Sequence, residues 1–167
     1  MSEQQKETLV QLQVKTKPKI EEIIPEYLDG EVKQSLIELL EFCGVNGIKY
    51  PWSATNRWKL KLKGETIGMI YIGKNPCLPG GENFEKNIWY TAIYMKEKFV
   101  REKNLTEVIY KNVLPCVRGE KTCKKSDTVT IFGKEFKGAC KDSGRRFMNP
   151  DAETLDCIKK WLKQCVQ

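Results

Sequence analysis

The sequence predicts an α+β domain: an antiparallel sheet with flanking helices, and a C-terminal helix packed on the sheet. Three observations carry this. Apolar and basic residues alternate strictly in Trp58-Lys59-Leu60-Lys61-Leu62-Lys63, the period-two signature of a half-buried strand. A second run, Thr66 to Ile72, follows after Gly64 and Glu65, which reads as a hairpin return. Apolar residues recur at helical spacing in 31–43 and in 150–165.

Taken in order, residues 1–15 are polar and are expected to form a flexible N-terminal segment, with one domain over 16–167. Ile20, Ile23 and Ile24 predict a short helix that Pro25 interrupts. Leu36, Leu39, Leu40 and Cys43 form the stripe of a helix over 31–43. Asp29 or Gly30 can open it and Gly44 can close it. In the 58–63 strand, Trp58, Leu60 and Leu62 point inward. The return strand, 66–72, is the more buried of the two. Residues 73–87 contain Pro76, Pro79, Gly80 and Gly81 and read as a long loop, of a length able to serve as a lid.

A third strand is expected over 88–95, rich in aromatic and β-branched residues. Asn104 and Glu107 have the spacing of a capping box that opens a helix to about Val113. Residues 116–127 are rich in Cys and Lys and irregular. Two short runs, 128–132 and 135–139, read as a small hairpin around Gly133 and Lys134. The segment 114–147 as a whole reads as an appended subregion. Asn149 is placed as the N-cap and Pro150 as the first residue of the final helix, whose stripe is Leu155, Ile158, Trp161, Leu162 and Cys165.

Composition bounds function. A chain of 167 residues buries roughly 70% of the surface its unfolded form exposes, enough to fold without disulfides. No apolar run is long enough to cross a bilayer. The N-terminal residues lack an apolar signal core, so a cytoplasmic location and reduced thiols are expected for the seven cysteines. Histidine is absent, which excludes Ser-His-Asp and Cys-His mechanisms and any His-containing zinc site within one chain. The net charge is +7. Residues 1–50 hold six Lys against nine Asp or Glu, a net of −3, so the remainder carries +10. Such an excess serves solubility or an anionic partner.

Three constellations stand out. The first is Cys116, Cys123 and Cys140, with Cys157 on the following helix. Their spacing does not match CxxC zinc knuckles, so small buried apolar thiols are the plain alternative to a metal or redox site. Cys116 and Cys123 lie among Arg118, Lys121, Lys124 and Lys125, and nearby cations lower a thiol pKa. The second is Tyr50-Pro51-Trp52-Ser53-Ala54-Thr55-Asn56-Arg57-Trp58. Trp52, Asn56 and Arg57 are candidate ligand contacts, with Tyr71, Trp89 and Tyr94 able to supply an opposite wall. The plain alternative is a loop whose tryptophans cap the core. The third is a basic face, with Lys59, Lys61 and Lys63 about 7 Å apart along one side of a strand. Lys121, Lys124, Lys125, Lys134, Lys137, Arg145 and Arg146 form a second basic zone. The aromatics are read as sharing the parity of the inward residues rather than that of the lysines, which favours a solvated face over nucleic-acid binding. Glycine-rich phosphate loops and paired carboxylates are absent.

The run from Trp58 to Ile72, following a helix and a Pro-Trp segment, resembles small bacterial proteins of the YdhG-like class over roughly residues 31–95. The resemblance implies a compact α+β domain. Some members are loosely labelled iron chaperones, and an iron role needs clustered carboxylate or thiol ligands. The tail from Cys116 to Cys140, leading into Asn149-Pro150-Asp151, has no counterpart in that class and looks like a lineage-specific addition.

The expected function is therefore a small-molecule-binding or interaction domain with no evident catalysis and no cofactor. A thiolate metal-binding or redox-sensing protein is the second reading, and a nucleic-acid-binding accessory protein the third. No membrane partner is expected. The pocket is expected between the 50–58 segment and the sheet.

Overall fold

The computed structural model describes residues 7–75, 84–116 and 128–167. Its element order is α1 (Leu9–Thr16), α2 (Ile20–Tyr27), α3 (Gly30–Val45), β1 (Trp52–Ala54), β2 (Arg57–Leu62), β3 (Glu65–Ile72) and β4 (Trp89–Ile93). These are followed by α4 (Glu97–Glu102), α5 (Thr106–Lys111), β5 (Thr128–Ile131), β6 (Lys134–Lys137), β7 (Arg146–Met148) and α6 (Ala152–Val166). The architecture is α+β, as the alternation predicts. A five-stranded sheet runs in the order β1-β2-β3-β4-β7, with each neighbouring pair antiparallel, and β5-β6 forms a separate hairpin.

One face of the large sheet is apolar. Trp58, Leu60 and Leu62 on β2 and Ile70 and Ile72 on β3 are buried, together with Trp89, Ile93 and Phe147. They form one core with α2, α3 and α6 through Ile23, Leu36, Leu40, Leu155, Ile158 and Leu162. Trp161 on α6 is 8% exposed and meets Phe99 edge-on at 5.0 Å. The β2–β3 hairpin turns on Lys63 and Gly64, whose φ values of 49° and 89° suit a primed two-residue turn. The turn therefore lies one residue earlier than the Gly64-Glu65 expectation, and Glu65 already pairs with Leu62. Gly68 is required: a Cβ there would lie 2.8 Å from the Ala92 carbonyl oxygen on β4.

Several expectations need correction. Leu9–Thr16 is a helix, so the described part of the 1–15 segment is not the flexible stretch expected, and residues 1–6 lie outside the described residues. The anchor of this helix is polar, a buried Gln13, rather than the apolar stripe that sequence reading looks for. Pro25 does not interrupt α2. It lies on the exposed side, and the helix continues to Tyr27, with Leu28 N donating to Ile24 O at 2.8 Å. α3 runs through Gly44 to Val45. The Asn104–Glu107 capping box does not form. Asn104 is left-handed (φ 54°) and follows α4, and α5 starts from Leu105 without a side-chain cap.

The last helix begins two residues later than expected, because Asp151 accepts the Thr154 amide at 2.9 Å. Asn149 instead ties β4 to the preceding segment. It accepts the Trp89 amide and donates to Asn87 O, both at 2.9 Å. β1, β7 and α4 were not predicted. The central part of the expected 73–87 lid, residues 76–83, lies outside the described residues, as do 117–127 of the Cys- and Lys-rich stretch.

Candidate functional site

Strand register decides which side chains share the second face of the sheet. Arg57 pairs with Tyr71, Tyr71 with Tyr90, and Tyr90 with Met148. One row thus crosses four strands, spaced about 4.8 Å apart. The adjacent row is Lys59, Met69, Ala92 and Arg146. Tyr94 continues the parity of Tyr90 and Ala92 just beyond β4, is 53% exposed, and lies under the Arg145 guanidinium at 5.6 Å. The expectation that the aromatics share the inward parity is therefore overturned. Trp58 and Trp89 do point inward, but Tyr71, Tyr90 and Tyr94 stand with the cations. The sequence hides this because Met69-Ile70-Tyr71-Ile72 is apolar throughout and shows no alternation to read.

The face is open mainly toward β2 and at the Tyr94–Met148 margin, since Tyr90 and Ala92 are buried. Tyr71 is its centre. Burial raises the Tyr71 pKa, while the Arg57 and Arg146 guanidinium charges and an Arg57 hydrogen bond pull the other way. The Tyr71 hydroxyl also donates to Met69 Sδ at 3.2 Å. Arg146 is paired with Asp142 at 3.3 Å. Arg57 differs: its Nε is buried and has no hydrogen-bond partner. An unsatisfied buried donor costs about 1–3 kcal/mol, and more when charged.

The sequence-derived site divides into four places. Arg57, Tyr71 and Tyr94 share the outer face, Arg57 directly opposite Tyr71 and Tyr94 just beyond the end of β4. Asn56 is structural: fully buried at φ 50°, it donates through Nδ2 to Ile72 O at 3.0 Å and accepts from Gln13 at 2.6 Å. Trp89 is in the core, its indole N–H donating to Ser35 Oγ at 3.1 Å. Trp52 is on β1 at the sheet edge, where its indole N–H points to Gln13 Oε1 at 3.3 Å. It lines an open groove of about 650 Å³ with Lys17, Pro18, Lys19, Lys49 and Tyr50. The pocket was expected between the 50–58 segment and the sheet; this groove lies instead between residues 17–21 and 49–52, and Arg57 is not part of its lining. Comparison with family models, with curated proteins and with solved structures found no match for this chain.

The thiols do not assemble among the described residues, where no group of three or more Cys, Asp or Glu side chains is placed to share a metal ion. Cys123 lies outside the described residues. Cys116 and Cys140 flank the Pro115–Ala139 bridge, their amides donating to Gly138 O at 2.9 Å and to Leu114 O at 2.8 Å. Cys157 is buried in α6, and burial pushes its thiol up to about 11. A thiol held protonated in an apolar core is a poor metal ligand.

Two placements were not legible in the sequence: that of Arg146, read there only as part of a second basic zone, and that of Lys49. Arg146 reaches the face only because three residues, Arg146–Met148, form the last strand. Lys49 comes to lie opposite Lys61, at the sheet edge and four residues along β2 from Arg57, through an isolated bridge. Neither a three-residue strand nor a single long-range bridge leaves a periodic signal.

Proposed function

We propose that this protein is a binding domain without catalysis, whose outer sheet face takes an anionic ligand carrying a planar ring. The ligand class joins a phosphate or carboxylate to an aromatic system, as a nucleotide does. The observation that carries the reading is Arg57. It is a cation with a buried, unsatisfied Nε, set directly opposite Tyr71 and free of any ion pair among the described residues. A guanidinium fork binds an oxyanion in two-point fashion and stacks on flat rings. Tyr71 and Tyr94 supply ring surface, and Lys59 and Arg145 add positive charge.

Turnover has little support. The chain has no His, and burial moves the Tyr71 hydroxyl away from neutral pH rather than toward it. It serves as a ring and a neutral hydroxyl, not as a base.

Thermal-shift titration with nucleoside monophosphates and aromatic carboxylates tests the reading. A ligand at a hundredfold excess over its dissociation constant should stabilise the fold by about 2.7 kcal/mol. Arg57→Ala should abolish that shift, and Arg57→Lys should restore little of it because the fork is lost. A shift that survives in Arg57→Ala sinks the proposal.

A further inference from the structure

The cations do not end at Arg57 and Lys59. Lys49 and Lys61 stand directly opposite each other, their amides exchanging hydrogen bonds with the facing carbonyls at 2.9 and 2.7 Å. Like charges directly opposite destabilise a strand pair, and neither lysine has an ion-pair partner among the described residues. Two grooves meet here and share Lys49 and Pro51. One is the 650 Å³ groove with Lys17, Lys19, Tyr50 and Trp52. The other, about 510 Å³, is lined by Gly47, Lys61, Lys63 and Gly64. Five lysines line the two grooves, against one acid, Glu21, whose Oε1 accepts the Tyr50 hydroxyl at 2.9 Å.

We infer that the partner of the outer face is a single-stranded nucleic acid, whose phosphodiester backbone leaves the sheet across Lys49 and Lys61 and continues along these two grooves. The inference rests on the reading of the face given above. A mononucleotide would use the Arg57–Tyr71 centre alone and leave the lysine strip without a role. A chain of regularly spaced phosphates uses both. Cations flanked by aromatic walls are the features by which proteins hold single strands, the charge tracking the backbone and the rings stacking bases. An acidic peptide would match the charge but leave the rings of Tyr71, Tyr94 and Tyr50 idle. A flat anionic surface would not enter the grooves.

The test compares a short ligand with a long one. Thymidine monophosphate and a fluorescein-labelled oligothymidylate of about twelve residues are titrated against wild type, Arg57→Ala, and the triple variant Lys19→Ser, Lys49→Ser, Lys61→Thr. The oligomer should bind at least about tenfold tighter than the monophosphate. Its log affinity should fall with log salt at about 0.7 per phosphate contacted. The triple variant should flatten that slope by roughly two, while leaving monophosphate affinity unchanged. Arg57→Ala should remove monophosphate binding. If the monophosphate binds and depends on Arg57 but lengthening it gains nothing, the strand inference is wrong and the face reading stands. If neither ligand binds, the face reading fails and takes the inference with it. Equal displacement of the oligomer by heparin, a polyanion without bases, would overturn the nucleic-acid assignment.

Discussion

Gln13 and Asn56 are joined by two hydrogen bonds: Gln13 Nε2 donates to Asn56 Oδ1 at 2.6 Å, and the Asn56 amide donates to Gln13 Oε1 at 2.9 Å. Both side chains are buried. This polar clasp holds α1 against the β1–β2 turn, while Val10, Leu12 and Val14 on the same helix remain exposed. Because the anchor is a network rather than apolar area, breaking one member strands the others. Gln13→Leu should cost about 1–3 kcal/mol and release α1, read as loss of amide protection over 9–16 in hydrogen exchange. Unchanged protection there would show that α1 is held by other contacts.

The Lys49–Lys61 pair predicts a conflict between stability and binding. Lys61→Glu places a carboxylate opposite Lys49 and converts repulsion into attraction. A cross-strand pair of this kind contributes roughly 0.2–1 kcal/mol, so chemical denaturation should show a gain of that size at low salt. The gain should shrink as ionic strength rises. Oligonucleotide affinity should fall in the same variant. A stabilised variant that still binds at wild-type strength would mean that the pair plays no part in binding.

Burial pushes Cys43 up to about 12 and Cys157 up to about 11. Thiol reagents attack the thiolate, so both should resist modification in the folded protein at neutral pH and react once it is denatured. Cys116 is half-buried, which leaves it the more accessible of these three. Peptide mapping after timed alkylation measures the order. Early labelling of Cys157 would contradict its place in the core.

The most legible parts of this fold are those in which burial repeats with the period of the element. β2 announces itself because Trp58, Leu60 and Leu62 are separated by lysines, and all three are buried. α6 does so through Leu155, Ile158 and Leu162. What escaped was long-range or polar. α1 docks through Gln13, and β7 is three residues long. At the site, Arg57 and Tyr94 were legible as an arginine and a ring near strands. Tyr71 was grouped with them as part of an opposite wall, but the sequence could not give the register across β2 and β3 that sets Arg57 directly opposite Tyr71 on the outer face. The lysine strip was half-read: Lys59, Lys61 and Lys63 follow from alternation, whereas Lys17, Lys19 and Lys49 arrive through tertiary contact.

Arg57 and Tyr71 allow a test that needs no ligand. Burial is the main cause holding the Tyr71 pKa above the ordinary tyrosine value, and the Arg57 charge opposes it. Arg57→Met removes that charge while keeping an unbranched side chain opposite Tyr71, so Tyr71 should titrate at still higher pH. Phenolate absorbance, taken as the difference between each protein and its Tyr71→Phe counterpart, isolates this one hydroxyl among the six tyrosines. The linkage has a definite sign. A group whose pKa is raised by folding contributes stability that is complete below the unfolded value, near 10, and is lost as pH climbs through the folded value. Stability should therefore decline above about pH 10 in wild type, and the decline should extend to higher pH in Arg57→Met. Tyr71→Phe should lack this component. A Tyr71 titration that does not move in Arg57→Met would mean that the guanidinium does not act on the Tyr71 hydroxyl, and the centre of the proposed site would be lost with it.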